Sequence, residues 1–325
     1  MSQDNLPEAD PPSAENKIDW SEERWKEMLV YQRKYMWFED TLDKLAIWLD
    51  LKPGMTAVDV GCGLGYLGYT YWLYYGKGGR YFGVDISNEL AQDAKKASKD
   101  WAVSGEAFFI TGDVYKLPFP DDFADCVMCQ ALLMHLEKPE LALAEMIRVA
   151  KPGGLIMCHE PDNLSAALEK GHSSIPELDL EEQLLSSKTV IISNKGRIKL
   201  GRGDQGIGPK IPMMMKKMGL EEIDLRLNDR VFHLEPPYES PIQKHHLESV
   251  KKRWLPENEK NFQFWLERER DEFIAGGGQP EEYDRILKVV DRVRSIYRQQ
   301  IENKEFFFCG TSHLYVIKGR KRLTG

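Results

Sequence analysis

The chain has 325 residues and a mass of 37.5 kDa; 42% of its residues are apolar and 30% are charged. This length and apolar content suffice for a large hydrophobic core. The net charge of −8 argues against non-specific nucleic-acid binding, and no run approaches the roughly 18 apolar residues that span a bilayer.

The first segment, residues 1–17, is acidic and rich in proline, and it lacks the apolar stretch of a signal peptide. We expect this segment to be disordered and the protein to be cytoplasmic, with reduced cysteines. Cys126 and Cys129 form a C-x-x-C pair, but they lie in an apolar run, which favours buried thiols over a metal site. No metal centre is therefore predicted.

Residues 18–50 carry apolar side chains at helical spacing, which predicts two helices before the first strand. Several aromatic residues belong to this segment. Tyr31 is the one we expect to face a ligand pocket, and packing within a helical core is the alternative reading.

A short apolar strand that runs into a glycine turn follows at positions 56–65, with the pattern V-D-V-G-C-G-L-G from Val58 to Gly65. An aromatic-rich helix is predicted over 66–75. Such a corner lets a ligand approach the backbone closely and meet the free N–H groups of the helix. Asp59, just before the first glycine, favours a cationic ligand group over a pyrophosphate. The turn residues are Gly61, Cys62, Gly63 and Gly65.

Acidic residues also end the next two predicted strands, Tyr81 to Asp85 and Ala107 to Asp113. Asp85 follows the glycine turn at about the spacing, roughly 20 residues, at which α/β nucleotide-binding folds place an acid on the ribose hydroxyls. Ile86 is expected to pack beside an adenine. Because parallel strands present their carboxyl ends at one edge, Asp59, Asp85 and Asp113 are predicted to converge there.

This order of motifs, from about Asp50 to His159, resembles the class I S-adenosylmethionine (SAM)-dependent methyltransferases. The segment from Leu117 to His135 is similar to the small-molecule branch that includes ubiquinone/menaquinone C-methyltransferase-like enzymes. The resemblance implies an α/β, doubly wound, Rossmann-like sheet of seven strands whose last strand is antiparallel. It also implies SAM as the cofactor.

The resemblance further implies roles for individual residues. Asp59 is placed near the amino-acid end of the cofactor, Gln130 near its sulfonium, and Asp113 with Val114 at the adenine; a turn residue is the alternative for Asp113. His135 and His159 are the candidate general bases near the ends of strands four and five, and His135 also borders the cofactor. Independently of the resemblance, the segment Glu160-Pro-Asp-Asn163, directly after strand five, is expected to reach the substrate side.

The second half of the chain is less similar to that family. We expect a glycine-rich loop at 201–212, a helix at 213–218 and strand six at 219–228, whereas positions 235–305 read only as helices. A final strand is predicted from Phe306 to Ile317. The resulting domains are a methyltransferase core of 51–234 with 306–319, and a helical insertion of 235–305 that acts as a lid or as a homodimer interface.

The predicted function is SAM-dependent methyl transfer to a small-molecule acceptor by SN2 displacement. A nucleic-acid or protein-amide acceptor is not expected, because the N/D-P-P-[YFW] box is replaced by Cys129-Gln-Ala-Leu-Leu. One alternative is an NAD-dependent oxidoreductase that uses the G-x-G-x-x-G spacing ending at Gly68. Another is a non-catalytic SAM-binding protein whose helical insertion contacts a partner.

Overall fold

The computed structural model describes residues 22, 26, 29, 36–101, 104–169, 171–229, 231–256 and 259–323. The predicted tail 1–17, most of the first predicted helix and Tyr31 lie outside the described residues. The second predicted helix is present as α1, Glu39–Trp48.

A seven-stranded mixed sheet forms the centre of the fold, with the strand order β3-β2-β1-β4-β5-β10-β7. Strands β1 to β5 pair in parallel, and β10 is antiparallel to both of its neighbours. The predicted sheet and its antiparallel strand are confirmed. The strands are β1 Thr56–Val60, β2 Arg80–Asp85, β3 Glu106–Thr111, β4 Ala124–Gln130, β5 Ala150–Pro161, β7 Glu221–Leu227 and β10 Leu314–Arg320.

Helices cover both faces of this sheet, because the central strands bury side chains on each side. Val58 and Val127 pack towards the helices Pro139–Val149 and Ile211–Lys217. Ala57 and Met128 pack towards α1 and the helix Tyr66–Tyr75, which we label α2. Asp59 therefore shares the face of α2. The helices between positions 66 and 217 are α2 Tyr66–Tyr75, α3 Asn88–Ala97, α4 Pro139–Val149, α5 Asn163–Glu169, α6 Leu180–Lys199 and α7 Ile211–Lys217.

A second sheet of three short strands corrects the predicted last strand. The segment from Phe306 to Ile317 is not continuous: β9 ends at Thr311, and β10 starts at Leu314. Strand β9 instead pairs with two strands that the sequence did not predict, in the order β6-β9-β8. These strands are β6 His172–Ser173, β8 Val231–Leu234 and β9 Phe308–Thr311.

Positions 235–305 contain three long helices, α8 Pro241–Trp254, α9 Glu259–Ala275 and α10 Pro280–Glu302. Helix α6, which the sequence did not predict, packs against α9 at very short range. A Cβ at Gly196 would lie 1.6 Å from the carbonyl oxygen of Glu272. Only glycine permits this backbone contact, so that α6 belongs to the same helical layer.

Among the described residues, no helix has both the length and the apolar character needed to cross a membrane. The same part of the chain contains no group of three or more His, Cys, Asp or Glu side chains arranged to hold a metal ion.

Candidate active site at the carboxyl edge of the sheet

The glycine turn between β1 and α2 adopts a backbone conformation that favours glycine. Gly61, Gly63 and Gly65 have φ angles of 67°, 52° and 79°. The N–H of Cys62 donates to the carbonyl oxygen of Val84 at 3.0 Å, which fixes the turn to β2. Among the described residues, the nearest atom to a Cβ at Gly63 would be Leu29 Cδ1 at 4.0 Å, so that none of them covers the backbone there.

Asp85 connects this turn to the end of β2. Its Oδ2 accepts a hydrogen bond from Gly63 N–H at 2.8 Å, and its Oδ1 accepts one from Ser87 N–H at 2.9 Å. Burial raises the pKa of the Asp85 carboxyl, although these backbone donors act in the opposite direction. Since an ionised carboxylate offers about four acceptor positions, Asp85 retains capacity for the hydroxyls of a ligand.

Ile86 directly follows Asp85, and Asp113 lies just beyond the end of the adjacent strand β3. Gly112 N–H donates to the carbonyl oxygen of Asp85 at 2.9 Å, which places the two acids on adjacent segments. Asp113 is exposed, and its Oδ1 accepts from Tyr115 N–H at 2.9 Å in an Asx-type turn. Ile86 is 62% exposed and Val114 is buried. An exposed apolar residue beside two carboxylates suits the adenosine moiety predicted for this edge.

Asp59 lies deeper than the other two acids. Its side chain is 1% exposed, and its Oδ2 accepts a hydrogen bond from the hydroxyl of Tyr81 at 2.8 Å. Burial raises the pKa of Tyr81, and the negative charge of Asp59 adds to this effect. The predicted contact of Asp59 with a ligand's ammonium group stays a prediction.

Gln130 and His135 both lie at the carboxyl end of β4. Gln130 is the last residue of the strand, and its Nε2 lies 3.3 Å from Met36 Sδ. His135 ends a short 3-10 turn, and its Nδ1 lies 3.4 Å from Nη2 of Arg197. Because a guanidinium only donates, Nδ1 accepts and the proton of the neutral ring is on Nε2. With its proton on Nε2, the His135 ring is suited to donate a hydrogen bond and not to act as a general base.

His159 is fully buried at the end of β5. Its ring lies 5.7 Å from the rings of Trp37 and Tyr71, and the Tyr71 hydroxyl lies 3.5 Å from its Nε2. A general base must contact the reacting group. Contact between His159 and an acceptor would therefore require Trp37 or Tyr71 to move, and the described arrangement favours a packing role.

Glu160 is the main site residue whose place the sequence reasoning missed. It belongs to β5 instead of following that strand, and it is fully buried; its expected contact with the substrate stays a prediction. Its Oε1 accepts from the N–H groups of Leu132 and Leu133, both at 2.8 Å, and its Oε2 accepts from Met134 N–H at 3.2 Å. Burial outweighs these donors and raises its pKa to about 7. Glu160 thus holds the turn that carries His135.

A buried group of arginines lies beside His135, and no sequence pattern predicted it. The carboxylate of Glu272 on α9 is surrounded by three arginines. Its Oε1 lies 3.4 Å from Arg197 of α6, 3.5 Å from Arg202 after α6 and 3.4 Å from Arg268 of α9. The four side chains are 6–11% exposed. We refer to Arg197, Arg202, Arg268 and Glu272 as the arginine cluster.

Comparison with known proteins places the family signal in the same part of the chain. Residues 58–158 match the family model described as a methyltransferase domain. An uncharacterised 37.1 kDa protein in a transposon of Streptomyces fradiae is 30% identical over 211 residues, which are 64% of this chain and 58% of that protein. An uncharacterised methyltransferase of Schizosaccharomyces pombe is 40% identical over 116 residues, 34% of this chain and 41% of that one.

The predicted resemblance to quinone methyltransferases is also found. The ubiquinone/menaquinone biosynthesis C-methyltransferase of Vibrio cholerae is 30% identical over 109 residues, which are 34% of this chain and 42% of that enzyme. The chain thus spans about half the length of these relatives.

Proposed function

The chain contains a class I SAM-dependent methyltransferase domain, and on this premise we propose that the protein transfers the methyl group of SAM to a small-molecule acceptor. The observation that carries the proposal is the link between Asp85 and Gly63. One carboxylate holds the open glycine turn at 2.8 Å and stands at the strand edge where α/β folds bind nucleosides.

The described residues fit SAM as the cofactor. The turn from Gly61 to Gly65 would lie against it, and Asp85 would accept from the ribose hydroxyls. Asp113, Val114 and Ile86 would hold the adenine, whereas Asp59 and Gln130 would lie towards the amino-acid end. When bound, SAM supplies a methyl group on a sulfonium that already contains its leaving group.

The contribution of the protein is then to position the acceptor and to exclude water. Arg197 contacts Nδ1 of His135 and so fixes the orientation of this ring at the end of β4, where the acceptor would lie. The half-buried ring of Trp37 and the buried ring of Tyr71 lie beside His159 and provide an apolar wall at the end of β5. This wall keeps water from the reacting groups.

A small-molecule acceptor is supported by the chemistry of the surface and of the strand edge. The net charge of −8 disfavours nucleic acid, and the residues after β4 lack the motif that grips an amide or base nitrogen.

We propose that 235–305 covers the acceptor side; a homodimer interface is the alternative. SAM should then slow limited proteolysis in α8 to α10, whereas an unchanged cleavage pattern would contradict the lid.

The test of the function compares two cofactors and then measures turnover. SAM should raise the melting temperature of the full chain, and NAD should leave it unchanged; the reverse result would support the oxidoreductase alternative. With methyl-labelled SAM and pools of small molecules, label should appear in a low-molecular-mass product. Tight binding of SAM without turnover in any pool would contradict the proposed activity and favour the non-catalytic alternative.

A further inference from the structure

In the arginine cluster, three buried guanidinium groups share one oxygen of Glu272 beside His135. We propose that Arg197, Arg202 and Arg268 bind an anionic oxygen group, a carboxylate or a phosphate, of the methyl acceptor. The proposal rests on the function proposed above and specifies its substrate class.

The Glu272 carboxylate is a shared and distant partner for the arginines of the cluster. Three guanidinium groups lie 3.4–3.5 Å from one of its oxygens, whereas charge-assisted hydrogen bonds are about 2.7–2.9 Å long. This single oxygen does not satisfy all the donors of Arg197 and Arg268.

Two donor groups of the arginine cluster remain without an acceptor inside the described part of the protein. The Nε–H groups of Arg197 and Arg268 are buried and have no hydrogen-bond acceptor among the described residues. Burial without a partner disfavours a charged group. It also lowers the pKa of Arg197 and of Arg268. An anionic ligand would supply the missing acceptors.

A buried arginine elsewhere in the same helical layer shows what a purely structural pairing looks like in this chain. Arg294 of α10 is 9% exposed, and its Nε donates to the carbonyl oxygen of Trp254 at 2.7 Å. Its Nη2 donates to both oxygens of Glu259 at 2.8 and 3.1 Å. Arg294 thus has a short, nearly bidentate carboxylate partner, whereas Arg197 and Arg268 lie 3.4 Å from theirs.

The arginine cluster lies beside the proposed methyl-transfer site. Leu132 contacts the glycine turn, since a Cβ at Gly61 would lie 2.7 Å from its Cδ1. Three residues later His135 contacts Arg197. A planar guanidinium fork matches the two oxygens of a carboxylate or phosphate. The cluster can therefore hold the charged end of an acceptor whose nucleophile faces the turn.

The experiment measures anion binding by the full chain in the presence of S-adenosylhomocysteine. Inorganic phosphate and acetate are titrated at constant ionic strength against chloride, and the melting temperature is followed. We expect a saturable rise with at least one of the two ions, which also tells which group the site prefers. A melting temperature that responds only to ionic strength would overturn the proposal.

Variants separate binding from folding. R268Q should raise the Kd of the preferred ion about 10-fold or more, because one charge-assisted interaction is lost. R294Q is the matched control and should leave that Kd unchanged. E272Q should lower the Kd, since it removes the competing carboxylate. If R268Q does not fold, R197K, which keeps the charge but lacks the fork, should also weaken binding; equal Kd values in R197K and the unmodified protein would overturn the site.

Turnover gives the final test. Labelled methyl groups should enter pools of carboxylates or phosphates and not a pool of neutral molecules, and R268Q should raise KM for the acceptor with little change in kcat. Label in neutral molecules alone would overturn the inference while leaving the proposed function intact. A chain that binds no SAM would instead contradict the proposed function itself.

Discussion

The buried carboxyl of Glu160 makes the stability of this protein depend on pH in an unusual direction. Three backbone N–H groups donate to it, and burial still raises its pKa from 4.5 to about 7. The folded state therefore binds this proton more tightly than the unfolded state does. The stabilisation is complete below about pH 4.5 and is lost as the pH rises through about 7.

The size of this effect follows from the two pKa values. One pKa unit corresponds to about 1.4 kcal/mol, so that a change from 4.5 to about 7 corresponds to about 3 kcal/mol of unfolding free energy. E160Q removes the titration. Its amide also places an NH₂ group near the Met134 N–H, which costs about 1–3 kcal/mol at every pH.

The assay is chemical denaturation of the unmodified protein and of E160Q between pH 5 and pH 8. The unfolding free energy of the unmodified protein minus that of E160Q should fall by about 3 kcal/mol over this interval. E302Q, on an exposed residue at the end of α10, is the control and should show no such trend. A difference between unmodified protein and E160Q that is constant with pH would refute the reasoning.

Three further substitutions test the packing of the glycine turn. Gly68→Ala should lower the unfolding free energy by about 1–3 kcal/mol in denaturation experiments, because its Cβ would lie 2.3 Å from the Tyr81 ring. Gly63→Ala, with no atom of the described residues closer than 4.0 Å to its Cβ but a φ of 52°, should cost only about 1 kcal/mol by the same measurement. It should nevertheless weaken SAM binding in calorimetry, whereas an unchanged affinity would contradict the role of the turn. Tyr81→Phe should cost about 1–3 kcal/mol in denaturation, because the buried Asp59 loses its donor; a smaller loss than that of Gly63→Ala would argue against this hydrogen bond.

The glycine turn and the sheet could be predicted because their signals are local. The β-branched run around Asp59, the positive-φ glycines and the acid at position 85 each lie within a few residues of the structure they specify. Sequence also indicated the helices of 235–305, since their apolar residues recur at helical spacing. The part of the site predicted in this way is its cofactor side.

The remainder depends on contacts between distant segments. Helix α6 contains the β-branched stretch Thr189-Val-Ile-Ile and Gly196, which disfavour a helix locally. Its packing against α9 at Gly196 outweighs that preference. Likewise, Arg197 and Glu272 lie far apart in sequence and meet only through this packing, so that no motif could reveal the arginine cluster.

The split of the last strand has a similar origin. The segment from Phe306 to Ile317 is apolar or small except at positions 311–313, and its pattern predicts one strand. In the fold, Phe306 packs with Leu234 and Tyr238 in a separate small core, which directs β9 into the second sheet. The choice between two sheets is made by these long-range contacts and not by the pattern of the strand itself.

The most direct test of the central claim is calorimetric titration of the full chain with SAM, compared between the unmodified protein and D85N. We predict saturable binding by the unmodified protein and affinity at least about 10-fold weaker in D85N, since the carboxylate that accepts from Gly63 at 2.8 Å is lost. D284N, on an exposed residue of α10, should bind like the unmodified protein. Absence of binding, or equal affinity in D85N, would contradict a SAM site at this edge of the sheet.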